Sequence, residues 1–575
     1  SWYLQNQWKL SRKLTVMAGL RYEYWTRVEE RNGLALLPGI EPGKNVLDTL
    51  LSNSTLEFAG SANGRPWYNR DLNNFAPNLG FAFDPFGTGK TAVRGGYSVN
   101  FVNDQLIGAL DNNVIGTNKG LQQQVTLRSQ NARLGAGLPT IPTPTLKVPR
   151  QFSDNWALDR SSAFGMPDPN LRTPYVQQFS FGLQQEIKGA VLEVRYAGNR
   201  QTKLFRAMDF NQIIIKENGF LDDFRRAQSN ATLAQSAGRG YDPRYNAAVA
   251  GSQTLTVFPN LGGAGFLTDT SVIQLIRQGR TADLAQLYVD NTLEGPVRFY
   301  RNNNSLGTNL MTNYANGTYH SLQADVRKRL PKNVFFQGNY VWSKVLSDSS
   351  GEVQSRFEPF HDQDNAGLER SRTVFDLRHV AKANFAYTLP FHGRRLRRLT
   401  EGWGISGDTI WQSGNPLSIL SARGTLNRGT RAAQNGANTT QTMDQLDQLL
   451  GVRMTPQGPV YIAASAIGAD GRAVAADGLA PFSGQVFSHP QAGTIGGVQR
   501  RMFSGPATID CNASIQKMTR VTERHSLEIR VEAFNVRNHP TWYLEDQNID
   551  STNFMKISQN FNGRRLLQFG LYYRF

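Results

Sequence analysis

The chain has 575 residues, 39% of them hydrophobic, with 54 glycines, one cysteine and a formal net charge of +17. A single thiol excludes an internal disulfide and a cysteine-based metal cluster, so Cys511 reads as a small buried or half-buried side chain. No run approaches the roughly 18 apolar residues of a membrane-spanning helix; this excludes a helical membrane protein but not a β-barrel, whose strands alternate over about ten residues and keep mean hydropathy low, here −0.44.

The amino-terminus, SWYLQNQWKL, has no charged n-region or apolar core and already reads as a strand, Trp2 to Leu10. A secreted barrel needs a leader, so the expectation is that Ser1 is not the start of the gene product. After a tight turn at Ser11 to Lys13, Leu14 to Thr26 sets Leu14, Val16, Ala18, Leu20, Tyr22 and Tyr24 on one face and Thr15, Arg21 and Glu23 on the other. A long Gly/Pro/Asn-rich segment precedes Phe75 to Phe83 and Thr91 to Phe101, which are joined by DPFGTGK. A second long segment precedes the hairpin Tyr175 to Ile187 and Ala190 to Ala197 about Lys188-Gly189, where glycine supplies positive φ.

A third long segment, about 198 to 317, holds two expected short helices, Ser271 to Gln278 and Ala282 to Val289. Tyr319 to Arg329 and Val334 to Ser343 turn through LPKN. Phe375 to Leu389 follows, then Trp403 to Trp411 after PFHGRRLRRLTEG. A long segment with an expected helix near Met443 to Leu450 leads to Ala507 to Lys517, Ser526 to Asn535 and the terminal LQFGLYYRF, Leu567 to Phe575.

The connections between these roughly thirteen strands run short, long, short, long throughout. A soluble sandwich or propeller has no reason to sort its loops in this way, whereas an outer-membrane barrel has short periplasmic turns and long extracellular loops. The Gly- and Asn-rich long segments are expected to lack extended packed structure. Aromatic residues gather near strand ends (Trp2, Trp8, Tyr22, Tyr24, Trp25, Tyr340, Trp342, Trp403, Trp411, Tyr572, Tyr573), as the two membrane interfaces favour. The short turns are basic: Arg12, Lys13, Lys90, Lys188, Arg329, Lys332, Arg394 to Arg398, Lys517 and Arg520. Those cations suit anionic lipid head groups, and ordinary solvated turns account for any one of them equally well. No dense basic patch interleaved with stacking aromatics occurs, so nucleic acid is not an expected partner.

Taken together, TPYVQQFSFGLQQEIKGAVLEVRYAGNR, YHSLQADVRKRLPKNVFFQGNYVWSK, SRTVFDLRHVAKANFAYTLPF, GWGISGDTIWQSGNPLSI, LEIRVEAFNVRNHP and the closing LYYRF resemble the barrel of TonB-dependent outer-membrane receptors, most of all the Oar-like branch. The resemblance implies an all-β, transmembrane antiparallel barrel of about 22 strands in the Gram-negative outer membrane. It also implies an amino-terminal plug carrying a box read by TonB. This sequence shows neither plug nor box. Residues 1–575 are therefore expected to be the carboxy-terminal portion of one barrel, because an open sheet would leave unpaired backbone groups in lipid.

The implied function is ligand capture by extracellular loops and import by energy-coupled plug displacement, without bond chemistry or cofactor. Expected partners are outer-membrane lipid and lipopolysaccharide, TonB through the missing amino-terminal region, and a surface lipoprotein or other protein on the long loops. An adhesion or structural barrel is the alternative, and a passive porin is third.

Little else in the sequence points to chemistry. DPFGTGKT mimics a phosphate loop, but Asp84 stands where its first glycine belongs and no helix follows, so it reads as a hairpin turn. His361, Asp362 and Asp364 with Gly367 resemble the start of a calcium loop, yet Thr373 occupies the position of its bidentate acid. The seven histidines are dispersed, so no zinc site is expected, and no catalytic residues stand out. Arg94, Arg195, Arg327, Arg378 and Arg530, with Glu193, Asp325, Glu528 and Glu532, fall on polar strand faces and are expected to line the lumen, as an ion-pair lattice or a substrate path. No substrate-binding residue is assigned.

Overall fold

A computed structural model describes residues 1–103, 106–111, 114, 118, 147–330, 334–349, 360–391, 397–427, 434–456, 458–561 and 563–575. Thirteen strands run in chain order as an up-and-down antiparallel path. They are β1 (Trp2–Lys9), β2 (Leu14–Tyr22), β3 (Phe75–Phe83), β4 (Thr91–Phe101), β5 (Tyr175–Ile187), β6 (Ala190–Asp209), β7 (Gly307–Leu330), β8 (Val334–Ser347), β9 (His379–Thr388), β10 (Trp403–Gln412), β11 (Thr508–Arg520), β12 (Ser526–Phe534) and β13 (Leu566–Arg574). Two short segments extend the same sheet: Ala163–Pro167 lies parallel to β7, and Ser371–Arg372 pairs with β8.

The register carries one apolar face across the whole wall. Leu79 stands opposite Tyr97, Phe181 opposite Tyr196, Tyr196 opposite Leu322, Leu322 opposite Trp342, Ile515 opposite Val531 and Ile529 opposite Leu571. These side chains stay exposed in the isolated chain, Phe181 at 55% and Leu571 at 70%. An apolar surface of this extent is what a lipid-facing wall presents. The membrane-facing periodicity is therefore the residues' own, since slipping any strand by one position would turn its whole apolar set inward.

The turns explain themselves locally. Lys188 and Gly189 both have positive φ, 49° and 74°, the two-residue hairpin geometry that matches strand twist. The Asp84 carboxylate accepts N–H groups from Phe86, Gly87 and Gly89 at 3.3, 2.9 and 2.7 Å. The stretch that mimics a phosphate loop is thus a turn wrapped around its own aspartate. Lys332 of the LPKN turn, Arg394 and Arg395 lie outside the described residues.

Two strands run past their expected ends. β6 was expected to stop at Ala197 and β7 to begin at Tyr319, but they stay paired to Asp209 and from Gly307. Above the wall the alternation disappears, because Leu204, Phe205, Arg206, Ala207 and Met208 are buried on both faces by the loops. Conversely, Phe375 and Leu377 precede β9 in a turn, where the Asp376 carboxylate accepts the Val345 N–H at 2.7 Å. β2 leaves the sheet after Tyr22 rather than at Thr26.

The long segments, whose Gly and Asn disfavour extended packed structure, nevertheless pack against one another. The three expected helices form, as Thr270–Arg277, Thr281–Asp290 and Met443–Leu449, and a further one occupies Phe220–Ser236. In chain order these become α1 (Phe220–Ser236), α2 (Thr270–Arg277), α3 (Thr281–Asp290) and α4 (Met443–Leu449). One cluster joins Phe220, Phe224, Phe258, Ile276, Tyr288 and Phe299 to Leu426 and Ala492 of a different loop. A second joins Leu417, Leu446, Ile462 and Phe487 to Ile549 and Phe554, and a third gathers Leu37, Trp67, Leu110, Phe205 and Met311. Each fully buried phenylalanine contributes roughly 1.5–3 kcal/mol. The long connections thus share cores and build one cap.

Candidate functional site

The inner face of the wall is polar where the outer face is apolar. Arg94 donates to Gln184 at 3.1 Å and Arg195 to Gln323 at 3.2 Å, across neighbouring strands. Asp325 pairs with Arg327 at 3.2 Å and accepts from Gln337 at 3.1 Å. Glu528, only 2% exposed, holds Arg530 and Arg574, each at 2.6 Å, while Glu532 stands 3.6 Å from Arg530. Tyr572, counted among the interface aromatics from sequence, instead lies on this inner face, its ring 5.4 Å from the Arg530 guanidinium.

A concavity of about 640 Å³ runs along β2 to β6 and is lined by Arg94, Gln184, Glu193, Arg195 and Asn199. Of the lumen residues expected from sequence, Arg94, Glu193 and Arg195 come together there. Arg327 with Asp325, and Arg530 with Glu528 and Glu532, form separate patches. Arg378 precedes β9, where its carbonyl accepts the Ser343 N–H at 2.9 Å.

Three histidines sit beside tyrosines of the aromatic girdles. Tyr196 and His320, Tyr340 and His379, and Tyr573 and His525 share hydrogen bonds at 2.7, 2.7 and 2.8 Å. Cys511 is half-buried, with its Sγ 3.0 Å from the Thr409 hydroxyl. At the short-turn end, Lys13 donates to the Pro85 carbonyl at 3.0 Å and Lys517 to that of Arg398 at 2.9 Å, tying adjacent turns together.

Where wall and cap meet, a buried ion cluster fastens them. The Arg206 guanidinium, on the upper part of β6, has a fully buried side chain and reaches Glu369 at 2.7 Å. Arg500 approaches the same carboxylate at 3.1 Å, and the His361 N–H donates to it at 2.8 Å. Burial alone would raise the Glu369 pKa; the contact from His361 and the charges of Arg206 and Arg500 outweigh it and lower the carboxyl from 4.5 to about 2. Nearby, Arg372 pairs with Asp376 at 2.5 Å. Higher in the cap, Arg423 bridges Asp477 and Asp550, both at 2.8 Å. Sequence reading missed these clusters, which share no motif and in which Arg206 and Arg500 reach Glu369, and Arg423 reaches Asp550, across more than a hundred residues.

The residues that suggested a calcium loop do not converge. Asp362 caps the N–H of Asp364 at 3.0 Å, and the Asp364 side chain, 75% exposed, faces Arg301 at 3.6 Å. Among the described residues no group of three or more His, Cys, Asp or Glu side chains is placed to share a metal ion.

Comparison with known families places this wall. Residues 1–568 match the outer membrane beta barrel domain. The chain belongs to that family. As a member of the outer membrane beta barrel family it resides in the Gram-negative outer membrane.

Solved structures similar to this barrel chain include the outer membrane transporter YddB from Escherichia coli, at 9% identity and a TM-score of 0.37, covering 97% of this chain and 44% of that one. The siderophore receptor PiuA from Acinetobacter baumannii aligns at 8% identity and a TM-score of 0.37, covering 99% and 42%. The ferric citrate transporter FecA aligns at 8% identity and a TM-score of 0.35, covering 100% and 44%. The barrel chain thus spans less than half the length of these structures. A comparison with curated proteins gives no match.

Proposed function

We propose that the chain is the carboxy-terminal part of a TonB-dependent outer-membrane receptor of the Oar-like branch. Its extracellular cap captures a ligand, and energy relayed through TonB displaces a plug to admit it past the polar inner face. The strand motifs carry this reading. The observation that supports it most is the combination of a charged, hydrogen-bonded lumen wall with a folded cap above it, the two surfaces a captured solute meets in turn.

The outer edges of β1 and β13 add support. Each of these strands pairs on one side only among the described residues. Unpaired backbone groups facing lipid cost several kcal/mol each, so further wall strands of a longer protein would close the sheet. The lumen residues bind and orient; no bond chemistry and no cofactor are assigned to them. Lipopolysaccharide meets the outer face.

The test uses the full-length gene product in outer-membrane vesicles. It should capture the periplasmic domain of TonB, and deletion of a short box amino-terminal to Ser1 should abolish capture. A full-length protein without such a box, or capture that survives the deletion, overturns the reading. A second reading, an adhesion or structural barrel, is favoured by the cap's apolar cores, which give a protein partner a firm surface. A stoichiometric partner that stays bound when the box is deleted would support it.

A further inference from the structure

We propose that the cap carries a preformed pocket for a neutral small molecule bearing a ring-sized apolar group. The pocket is built by residues 244–268, the segment that joins α1 to α2 in the β6–β7 connection, and is an open depression of about 450 Å³, within the range of small-molecule sites. Leu255, Phe258, Pro259 and Leu267 make its apolar floor, and Ala264 forms one wall. Tyr245, Thr254 and Thr268, all exposed, bring hydroxyls to the mouth.

Both sides are held in place by the chain's own contacts. The fully buried Asp223 carboxylate of α1 accepts the N–H groups of Thr256, Val257 and Phe258 at 2.8, 2.7 and 3.0 Å. The opposite wall is a turn in which four successive residues, Gly263 to Phe266, have φ of 58°, 49°, 74° and 49°. This left-handed path is unfavourable for Ala264 and Phe266, and it persists only where surroundings over-determine it. Here they do: Tyr288 of α3 donates its hydroxyl to the Gly265 carbonyl at 2.7 Å. Glycine is required at 265, because a Cβ there would stand 2.6 Å from the Phe258 ring.

The chemistry of the mouth selects the class of ligand. Arg244, the one cation among the described residues lining the pocket, is engaged by Asp242 through two contacts, Nε at 3.0 Å and Nη2 at 2.8 Å. Among the described residues no uncompensated charge faces the pocket, so an uncharged compound fits better than an anion. The hydroxyls suit a single donor or acceptor at its exposed end. The pocket is separate from the charged lumen wall and holds whether or not the barrel imports what binds there.

Indole, neutral and ring-sized with one N–H, is the probe for the full-length protein in nanodiscs. Saturation-transfer NMR should show a saturable indole component that indole-3-acetate fails to displace at equal concentration. Ala264→Phe and Thr254→Trp, both at exposed positions, fill the cavity and should each weaken that component at least about tenfold. Protease resistance of the cap reports folding of each variant. Non-saturable partition alone, full saturable binding in the folded filling variants, or stronger binding of indole-3-acetate overturns the proposal.

Discussion

Replacing Glu369 by alanine isolates what fastens the cap to the wall. The change takes from Arg206, whose side chain is fully buried, the carboxylate 2.7 Å away, while the Asp348 carbonyl and the Phe360 ring, 4.4 Å away, stay beside it. Arg500 loses the same partner. Breaking a buried ion pair by deleting one member costs about 3–5 kcal/mol. The loss falls on the seam, since the wall strands keep their own hydrogen bonds. Amides at 360–372 and 498–501 should therefore exchange with deuterium about 10²–10³ times faster, while those of β11 to β13 keep their protection. The His361 N–H, whose acceptor is removed, is the most direct reporter. Glu369→Leu combined with Arg206→Met should recover part of the protection, because an apolar pair can replace a buried ionic one. Exchange within about threefold of wild type across the seam would show that the apolar cores hold the cap without the cluster.

The same carboxylate sets an acid limit. Its folded pKa of about 2 lies below the ordinary 4.5, so its contribution, roughly 3 kcal/mol, is complete above pH 4.5 and is lost as pH falls towards 2. Pepsin cleavage within the cap, divided by cleavage of an unfolded peptide at the same pH, should rise more steeply across that window in the wild type than in Glu369→Gln. Phe181→Arg, on the lipid face, should destabilise the barrel by about 2–4 kcal/mol in vesicle unfolding, whereas Ser180→Lys, exposed on the inner face, should change it little. Gly189→Val forces a β-branched residue to φ 74° and should cost about 1–2 kcal/mol, read as slower strand pairing in refolding.

The wall was legible because lipid imposes one rule on every strand: Leu79, Phe81 and Phe83, or Leu567, Phe569 and Leu571, must all face outward. The pairing of Arg530 with Glu528 and Glu532 was equally visible, since residues two apart on a strand share a face. Arg94 with Gln184 was not, because that contact depends on cross-strand register. The cap was hidden for a different reason. Its cores draw Phe224, Leu426 and Ala492 from loops about two hundred residues apart, and α1 has few apolar residues over its second half, so no period announces it. The upper ends of β6 and β7 were lost where burial on both faces removes the alternation.

The shared cores tie the histories of the loops together. The Gly424 carbonyl accepts the Ala282 N–H at 3.0 Å, its own N–H reaches Asp283 at 2.9 Å, and Arg225 donates to the Ala492 carbonyl at 2.8 Å. One loop is the floor on which another stands. Lineages that escape a phage or an antibody, or adapt to a new nutrient, should therefore change exposed positions such as Tyr245 or Met454 singly. Changes at the internal seam should arrive as matched substitutions in two loops, and recombination that swaps one loop alone should be selected against.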